Sequence, residues 1–327
     1  MPGLSHSAQS APMTLTELKY IVAVARERHF GKAAEACLVS QPTLSVAVKK
    51  LEDELELKIF ERSAGEVGVT ALGEEIVRQA QSVLEQAAGI REIAKRGKDP
   101  LAGALTLGVI YTIGPYLLPD LVRQNIAATP QMPLVLQEHF TARLLEMLRT
   151  GDIDCALVAE PFPDTGLAMA PLYDEPFVAA VPMSHPFAQR ASITSDELRN
   201  ETMLLLGTGH CFRDHVLEVC PEFARFSSSN AEGIRKTFEG SSLETIKHMV
   251  AAGMGMTLVP RLSVPPGALD RAAPAGDALV RYLPFAGDPP TRRVVLAWRR
   301  SFTRYEAIAA LRNAIYACEL PGVQRLS

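Results

Sequence analysis

Residues 29–62 read HFGKAAEACLVSQPTLSVAVKKLEDELELKIFER, and the periodicity of this stretch decides how the N-terminal part folds. Ser40 is a good helix N-cap, and Pro42 sits in the first turn after it. From there Leu44, Val48, Leu51 and Leu55 form an apolar stripe at helical spacing, while Gln41, Thr43, Ser45 and Lys49 take the other face. Upstream, Phe30, Ala33, Ala34 and Cys37 share a face, which makes Cys37 a small core residue. Leu15, Leu18, Ile21, Val22 and Ala25 repeat the pattern within residues 14–28. Two short helices joined by a tight turn, the second polar at its start, fit a helix-turn-helix. Periodicity alone fits a purely structural helical hairpin equally well.

Working outward, KIFERSAGEVGVT (58–70) has the pattern of a short hairpin, placed as a wing. Residues 71–96 predict one long helix in which Ile76, Ala80, Val83, Ala87, Ile90 and Ala94 alternate four and three apart, a seam that suggests helix pairing. GKDPLAG (97–103) then breaks the helix as a hinge. Beyond it, residues 104–110, 134–140, 154–159, 177–182 and 256–260 are β-like, and 115–127 and 242–253 are helical. That alternation predicts an α/β domain with parallel sheets, and its span of about 220 residues predicts two lobes.

Composition narrows the class. The chain has 327 residues, 47% of them hydrophobic, which excludes a disordered or fibrous protein. Residues 1–12, MPGLSHSAQSAP, lack the basic start and apolar core of a secretory signal and read as a leader before Met13. No apolar run reaches the ~20 residues that span a bilayer, so a cytoplasmic protein with no membrane partner is expected. The formal net charge is −4, so contact with nucleic acid has to come from a local arrangement. Five cysteines without a CxxC motif point to thiols, with any disulfide transient.

The opening stretch, followed by VTALGEEI (69–76) and the long helix, resembles the LysR-type transcriptional regulators; SQPTLS followed by KKLEDEL and IFER is the specific part. The resemblance implies a winged helix-turn-helix over 13–70, a linker and dimerisation helix over 71–98, and a regulatory domain over 99–327. That last domain would have two α/β lobes similar to periplasmic binding proteins. It implies promoter DNA as partner, faced by Phe30, Ser40, Gln41, Pro42, Thr43, Ser45, Lys49, Lys50 and Arg62. A homotetramer built as a dimer of dimers and a contact with RNA polymerase are also implied. The chain departs from the pattern at Gly65 and Glu66, where relatives carry wing cations, and at Val46 and Ala47, where they place polar residues.

Within that family, GHCFRDHVLEVC (209–220), YTIGPYLLPDL (111–121) and SLETIKHMVAAGMGMTLVP (242–260) resemble the peroxide-sensing members. Taken as residues, Cys211 and Cys220 admit a metal site, a nucleophile with helpers, or two unrelated thiols. Zinc wants three or four ligands, and only Cys211 and His215 share a helical face, so no metal or cofactor is expected. Cys220, beside Leu217 and Val219, fits an inert buried thiol. Cys211, at a helix start with His210 and Arg213 close by, meets conditions that favour a thiolate. The resemblance implies that Cys211 is oxidised to sulfenic acid by hydrogen peroxide and forms a disulfide with Cys220, which activates antioxidant genes. Thr112, Thr141, His210, Arg213, Asp214 and Arg293 would surround the peroxide.

Nine residues of α-helix separate two Cα atoms by ~13.5 Å and turn them to opposite faces. A disulfide needs them within roughly 6.8 Å, so the bond requires the segment to unwind. Cys155 reads as core and Cys318 as a partly exposed bystander. A metabolite-responsive regulator of the same family and a thiol peroxidase are the alternatives. The lack of an acid–base constellation beyond the thiol favours a protein that is not an enzyme.

Overall fold

The computed structural model describes residues 13–63, 66–96, 99, 101–163, 166–199, 201–221, 239–240, 242–270 and 279–326. The expected leader, Gly65 and part of the 97–103 hinge lie outside them, as do the side chains of Arg62, Glu66 and Ala94. The chain divides after Asp99 into two compact units.

The N-terminal unit runs α1 (Leu15–Glu27), α2 (Phe30–Ala36), α3 (Gln41–Glu54), β1 (Phe60–Ser63), β2 (Glu66–Val69) and α4 (Ala71–Arg96). Thr14 starts α1 with a reciprocal capping box to Glu17, and the Ser40 hydroxyl accepts from the Thr43 amide to start α3. The buried faces meet in a core of Leu18, Ile21, Val24, Ala33, Leu44, Val48, Leu51 and Ile59. Glu52 explains why KKLEDEL and KIFER occur together. Its carboxylate accepts from Lys58 Nζ (2.8 Å) and from the Ile59 and Phe60 amides (2.9 and 3.1 Å), which ties α3 to the wing. Thr70 then starts α4: its hydroxyl donates to the Lys58 carbonyl and accepts from the Gly73 amide. A side chain at Gly73 would collide with the Ile59 carbonyl, so α4 lies this close only because the residue is glycine.

Two expectations need adjusting here. Leu15 is exposed, because Tyr20, Ala23 and Val24 carry the buried face of α1 along with Leu18 and Ile21. The seam on α4 also divides in its use. Ile76 and Ala80 pack into the unit's own core, whereas Val83 and Ile90 stay exposed.

The second unit runs β3 (Leu105–Ile110), α5 (Gly114–Ala128), β4 (Leu134–His139), α6 (Thr141–Thr150), β5 (Cys155–Glu160) and β6 (Ala168–Pro182). It continues with α7 (Ser195–Leu198), β7 (Leu205–Leu206), α8 (Cys211–Val219), β8 (Glu239–Gly240), α9 (Leu243–Ala251), β9 (Thr257–Pro260), β10 (Val280–Pro284), β11 (Thr291–Trp298), α10 (Tyr305–Ala317) and β12 (Gln324–Arg325). The main sheet is ordered β10-β6-β11-β5-β3-β4, with β9 and β12 also on β6. The fifteen-residue β6 serves both lobes: its first part pairs with β11 and its last part with β9 and β10. Around that last part gather Phe177, Val181, Phe212, Val216, Ile246 and Leu258, the core of the second lobe.

The two-lobed α/β architecture matches the expectation, but the sheet is mixed. Parallel pairing holds β4 to β3, β3 to β5 and β7 to β8, while β6 pairs antiparallel with all its neighbours. β6 spans both lobes and runs antiparallel to β11 and to its other neighbours, so it does not follow the β-α-β rule that makes sheets parallel. Cys155 is core, as expected. Cys318 is buried too, not partly exposed: it caps α10, its sulfur lies 3.2 Å from the Ala314 carbonyl, and burial pushes the thiol up to about 12.

Candidate functional site

On the N-terminal unit, Gln41, Pro42, Thr43, Lys49 and Lys50 are exposed along α3, with Ser45 half-buried. Three of the expected DNA-facing residues have structural partners. Ser40 caps α3 and shares its hydroxyl with Thr43 (2.7 Å), and Lys50 pairs with the buried Glu17 at 3.0 Å. Phe30 has a half-buried ring that stands edge-on to Phe60, 6.0 Å between centroids, and packs against the core beside Ser45 and Lys49. Arg62 lies in β1, but its side chain is outside the described residues.

In the second unit, α8 starts at Cys211, directly after Gly209 at φ 100° and the N-cap His210. The half-buried Cys211 lines a small cavity of about 10 Å³ together with Tyr111, Thr112, Phe140, Thr141 and His210. These residues come from the carboxyl ends of β3 and β4 and from the start of α8, where α/β sheets place their ligands. The volume suits one molecule of about the size of water. Thr141 opens α6, and its buried hydroxyl finds no hydrogen-bond partner among the described residues. A buried polar group in that condition suits a ligand hydroxyl.

Behind the cavity lies Arg292, 2% exposed. Its Nη1 donates to Thr112 Oγ1 (2.7 Å) and its Nη2 to the Thr112 carbonyl (3.0 Å). Nε and Nη2 also donate to Glu175 Oε2 (2.9 and 2.8 Å), while Glu175 Oε1 accepts from the Leu262 amide (2.8 Å). Burial works against the guanidinium charge. Glu175, then Cys211 and Tyr173, outweigh it and hold the proton more tightly than usual. The guanidinium therefore lies within electrostatic reach of the Cys211 sulfur.

Thr112, Thr141, His210 and Cys211 therefore come together as the sequence suggested. Arg293 does not. It lies on the opposite face of β11, exposed, and donates to both Asp174 carboxylate oxygens (2.8 and 2.9 Å). Neighbouring residues of a strand point to opposite faces, so only one of two consecutive arginines reaches the cavity side. Arg213 and Asp214 are corrections as well. Arg213 is buried but donates to the Leu206 carbonyl (2.9 Å), and Asp214 is exposed on the outer face of α8; neither lines the cavity. Cys220 caps the far end of α8 and is 1% exposed within the second lobe's core.

Sequence reasoning missed Arg292, Glu175, Tyr111 and Phe140. The only signal for the first two was an arginine pair at 292–293 and an acid pair at 174–175. His215, considered for a metal, instead meets the Glu160 carbonyl through Nε2 at 2.7 Å, and burial pushes its imidazole below the ordinary range. Among the described residues, no group of three His, Cys, Asp or Glu is placed to hold a metal ion.

Comparison with known proteins adds the context. Residues 15–74 match the bacterial regulatory helix-turn-helix protein, lysR family, and residues 98–317 match the LysR substrate binding domain. The DNA-binding transcriptional dual regulator OxyR of Escherichia coli K12 is 37% identical over 300 residues, covering 91% of this chain and 94% of that protein. A full-length OxyR cysteine-to-aspartate variant from Pseudomonas aeruginosa is 50% identical, with a TM-score of 0.71 over 94% of this chain and 99% of that one. A hydrogen-peroxide-bound OxyR cysteine-to-serine mutant from Corynebacterium glutamicum is 32% identical, with a TM-score of 0.59 over 94% and 93%. The chain belongs to the LysR family of helix-turn-helix transcriptional regulators.

Proposed function

We propose that this regulator senses hydrogen peroxide through Cys211 and converts the oxidation into a change in DNA binding that activates antioxidant genes. The observation that carries the reading is the cavity at Cys211. It joins a sulfur at a helix N-terminus, a buried Thr141 hydroxyl that has no hydrogen-bond partner among the described residues, and a buried arginine behind Thr112. The Cys211 thiolate attacks one peroxide oxygen; the S–O bond forms, the O–O bond breaks, and hydroxide leaves as water after taking a proton. Thr141 orients the peroxide, and Arg292 favours the thiolate.

Cys220 then attacks the sulfenic sulfur, the disulfide forms, and a second water leaves. Intact α8 holds the two cysteines at opposite ends, so the disulfide selects an unwound segment. Cys220 must leave the second lobe's core, which couples the bond to repacking of that lobe. Residues 13–70 read promoter DNA and residues 71–98 pair subunits. The regulator acts in the cytoplasm as a homotetramer, a dimer of dimers, and RNA polymerase is its partner at the promoter. Among the described residues no helix is long and apolar enough to cross a membrane.

The test is peptide mapping and DNA footprinting of the full chain before and after one equivalent of hydrogen peroxide. The reading expects a Cys211–Cys220 peptide and an altered footprint. Both should be absent in Cys211→Ser, and Cys220→Ser should stop at sulfenic acid. A footprint that still responds without the linked peptide overturns the mechanism. Catalytic peroxide consumption at many turnovers with a thiol reductant would replace the sensor with a peroxidase.

A further inference from the structure

We propose that Val46 is a base-reading residue of α3: its side chain packs on the C5-methyl group of a thymine in the major groove of promoter DNA and selects for that base. The inference rests on the DNA-reading role proposed for residues 13–70.

α3 is the second helix of the helix-turn-helix, the one whose first turns face base edges in this class of domain. An α-helix advances about 100° per residue, which puts Leu44, Val48, Leu51 and Leu55 about 140–180° round the axis from Val46. The first three of these are buried in the unit's core, so Val46 points away from it. Val46 is 68% exposed. Pro42, Thr43 and Lys49, all exposed, lie within about 60° of it, so Val46 occupies the middle of the outward face. Ala47, the other apolar departure on this helix, packs partly against the core and is accounted for by that packing. Val46 is not. A β-branched valine is a poorer helix former than glutamine or arginine, and at this position it adds nothing to the core.

The chemistry of the groove names the partner. Along the major groove, base pairs display hydrogen-bond donors and acceptors and one apolar group, the thymine C5-methyl. Gln41, Thr43 and Lys49 can meet phosphates or those donors and acceptors; a valine side chain exchanges a hydrogen bond with none of them. Set against the cytosine amino group or a purine edge, its methyl groups would displace water and leave a polar atom unpaired. Set against thymine, they remove two apolar surfaces from water together. Val46 therefore favours thymine and disfavours the other bases at that step.

In the experiment, the full-length protein first selects binding sites from a random-sequence DNA duplex library. Each thymine of the selected site is then replaced in turn by deoxyuridine, which keeps every hydrogen-bonding atom and lacks only the methyl group. Affinities are compared at one fixed salt concentration. At one thymine per half-site the native chain should lose about fourfold in affinity per subunit, the worth of one buried methyl-sized group. Val46→Ala should bind the thymine and deoxyuridine sites nearly alike at that position, and Val46→Ile should keep the discrimination. Because Val46 lies outside the core, both variants should melt as the native chain does. A site in which no thymine shows the penalty, or a penalty as large in Val46→Ala as in the native chain, overturns the inference. If the native chain selects no sequence at all, the DNA-reading role falls and this inference with it, which is a different result.

Discussion

Two arginines adjacent in β11 meet two acids adjacent in β6: Arg292 lies opposite Glu175, and Arg293 opposite Asp174. The two pairs share the chemistry, the strands and the ladder, and differ only in which side of the sheet they occupy. Arg292 and Glu175 are both essentially unexposed, with five hydrogen bonds among Glu175, Thr112, the Leu262 amide and the guanidinium. Arg293 and Asp174 form an equally well-made fork in water. Burying an ion pair is costly and brings little net stability over an apolar alternative. The inner pair therefore makes sense as a device that holds positive charge beside Cys211, whereas the outer one only ties two strands at the surface.

The largest effect should come from Arg292→Met. It strands the Glu175 carboxylate in the interior and should cost about 3–5 kcal/mol of unfolding free energy in chemical denaturation. It should also slow peroxide oxidation of Cys211; a native-like rate would break the contrast between the pairs. Arg292→Lys keeps the charge but loses the planar fork, so oxidation should slow while the loss of stability is smaller than for methionine.

A buried acid in the other unit gives an independent check. Glu52→Ala leaves the Ile59 and Phe60 amides without their partner and should destabilise the N-terminal unit by about 2–4 kcal/mol, read from its melting transition. The pH profile carries the same signature. Burial works against the charge on Glu52, yet Lys58 and the Phe60 and Ile59 amides outweigh it and hold the carboxyl below its ordinary value of 4.5. Glu17 is likewise lowered: burial opposes the charge, but Thr14 and Lys50 prevail. Their stabilisation is complete above pH 4.5 and disappears as pH falls through the lowered folded values. Glu52→Gln should flatten that acid limb, and an unaltered limb would show that other groups cause it. The smallest effect belongs to Arg293→Ala, with melting and peroxide oxidation both as in the native chain; a slowed oxidation would move the active cation to the outer pair.

Much of the N-terminal fold was legible because its signals are local. The cap at Ser40, the stripe of α3 and the hairpin at 58–70 depend on residues a few positions apart, and they appear where the local pattern put them. Strand order in the second unit was less legible. The first half of β6 runs through AMAPLYDEP, and β11 begins with charge, so neither resembles a buried strand until its neighbours are known. Cys318 was misjudged for a related reason: nearness to the end of a chain says nothing about which helix face packs inward.

The sequence alone determined the helix-turn-helix, the long helix after it, a two-lobed α/β domain, and the helix that separates Cys211 from Cys220. The helices rest on capping, periodicity or rise per residue, which act within one segment. The helix-turn-helix reading and the two lobes drew also on the family resemblance and the length of the domain. Tertiary structure alone decided that Arg292 and not Arg293 serves the cavity, that Arg213 and Asp214 stand outside it, and that Tyr111, Phe140 and His210 close around it. Strand alternation says that one of two adjacent arginines points inward. Which one depends on the register of β11 against β6, and that register is set by pairing between segments more than a hundred residues apart.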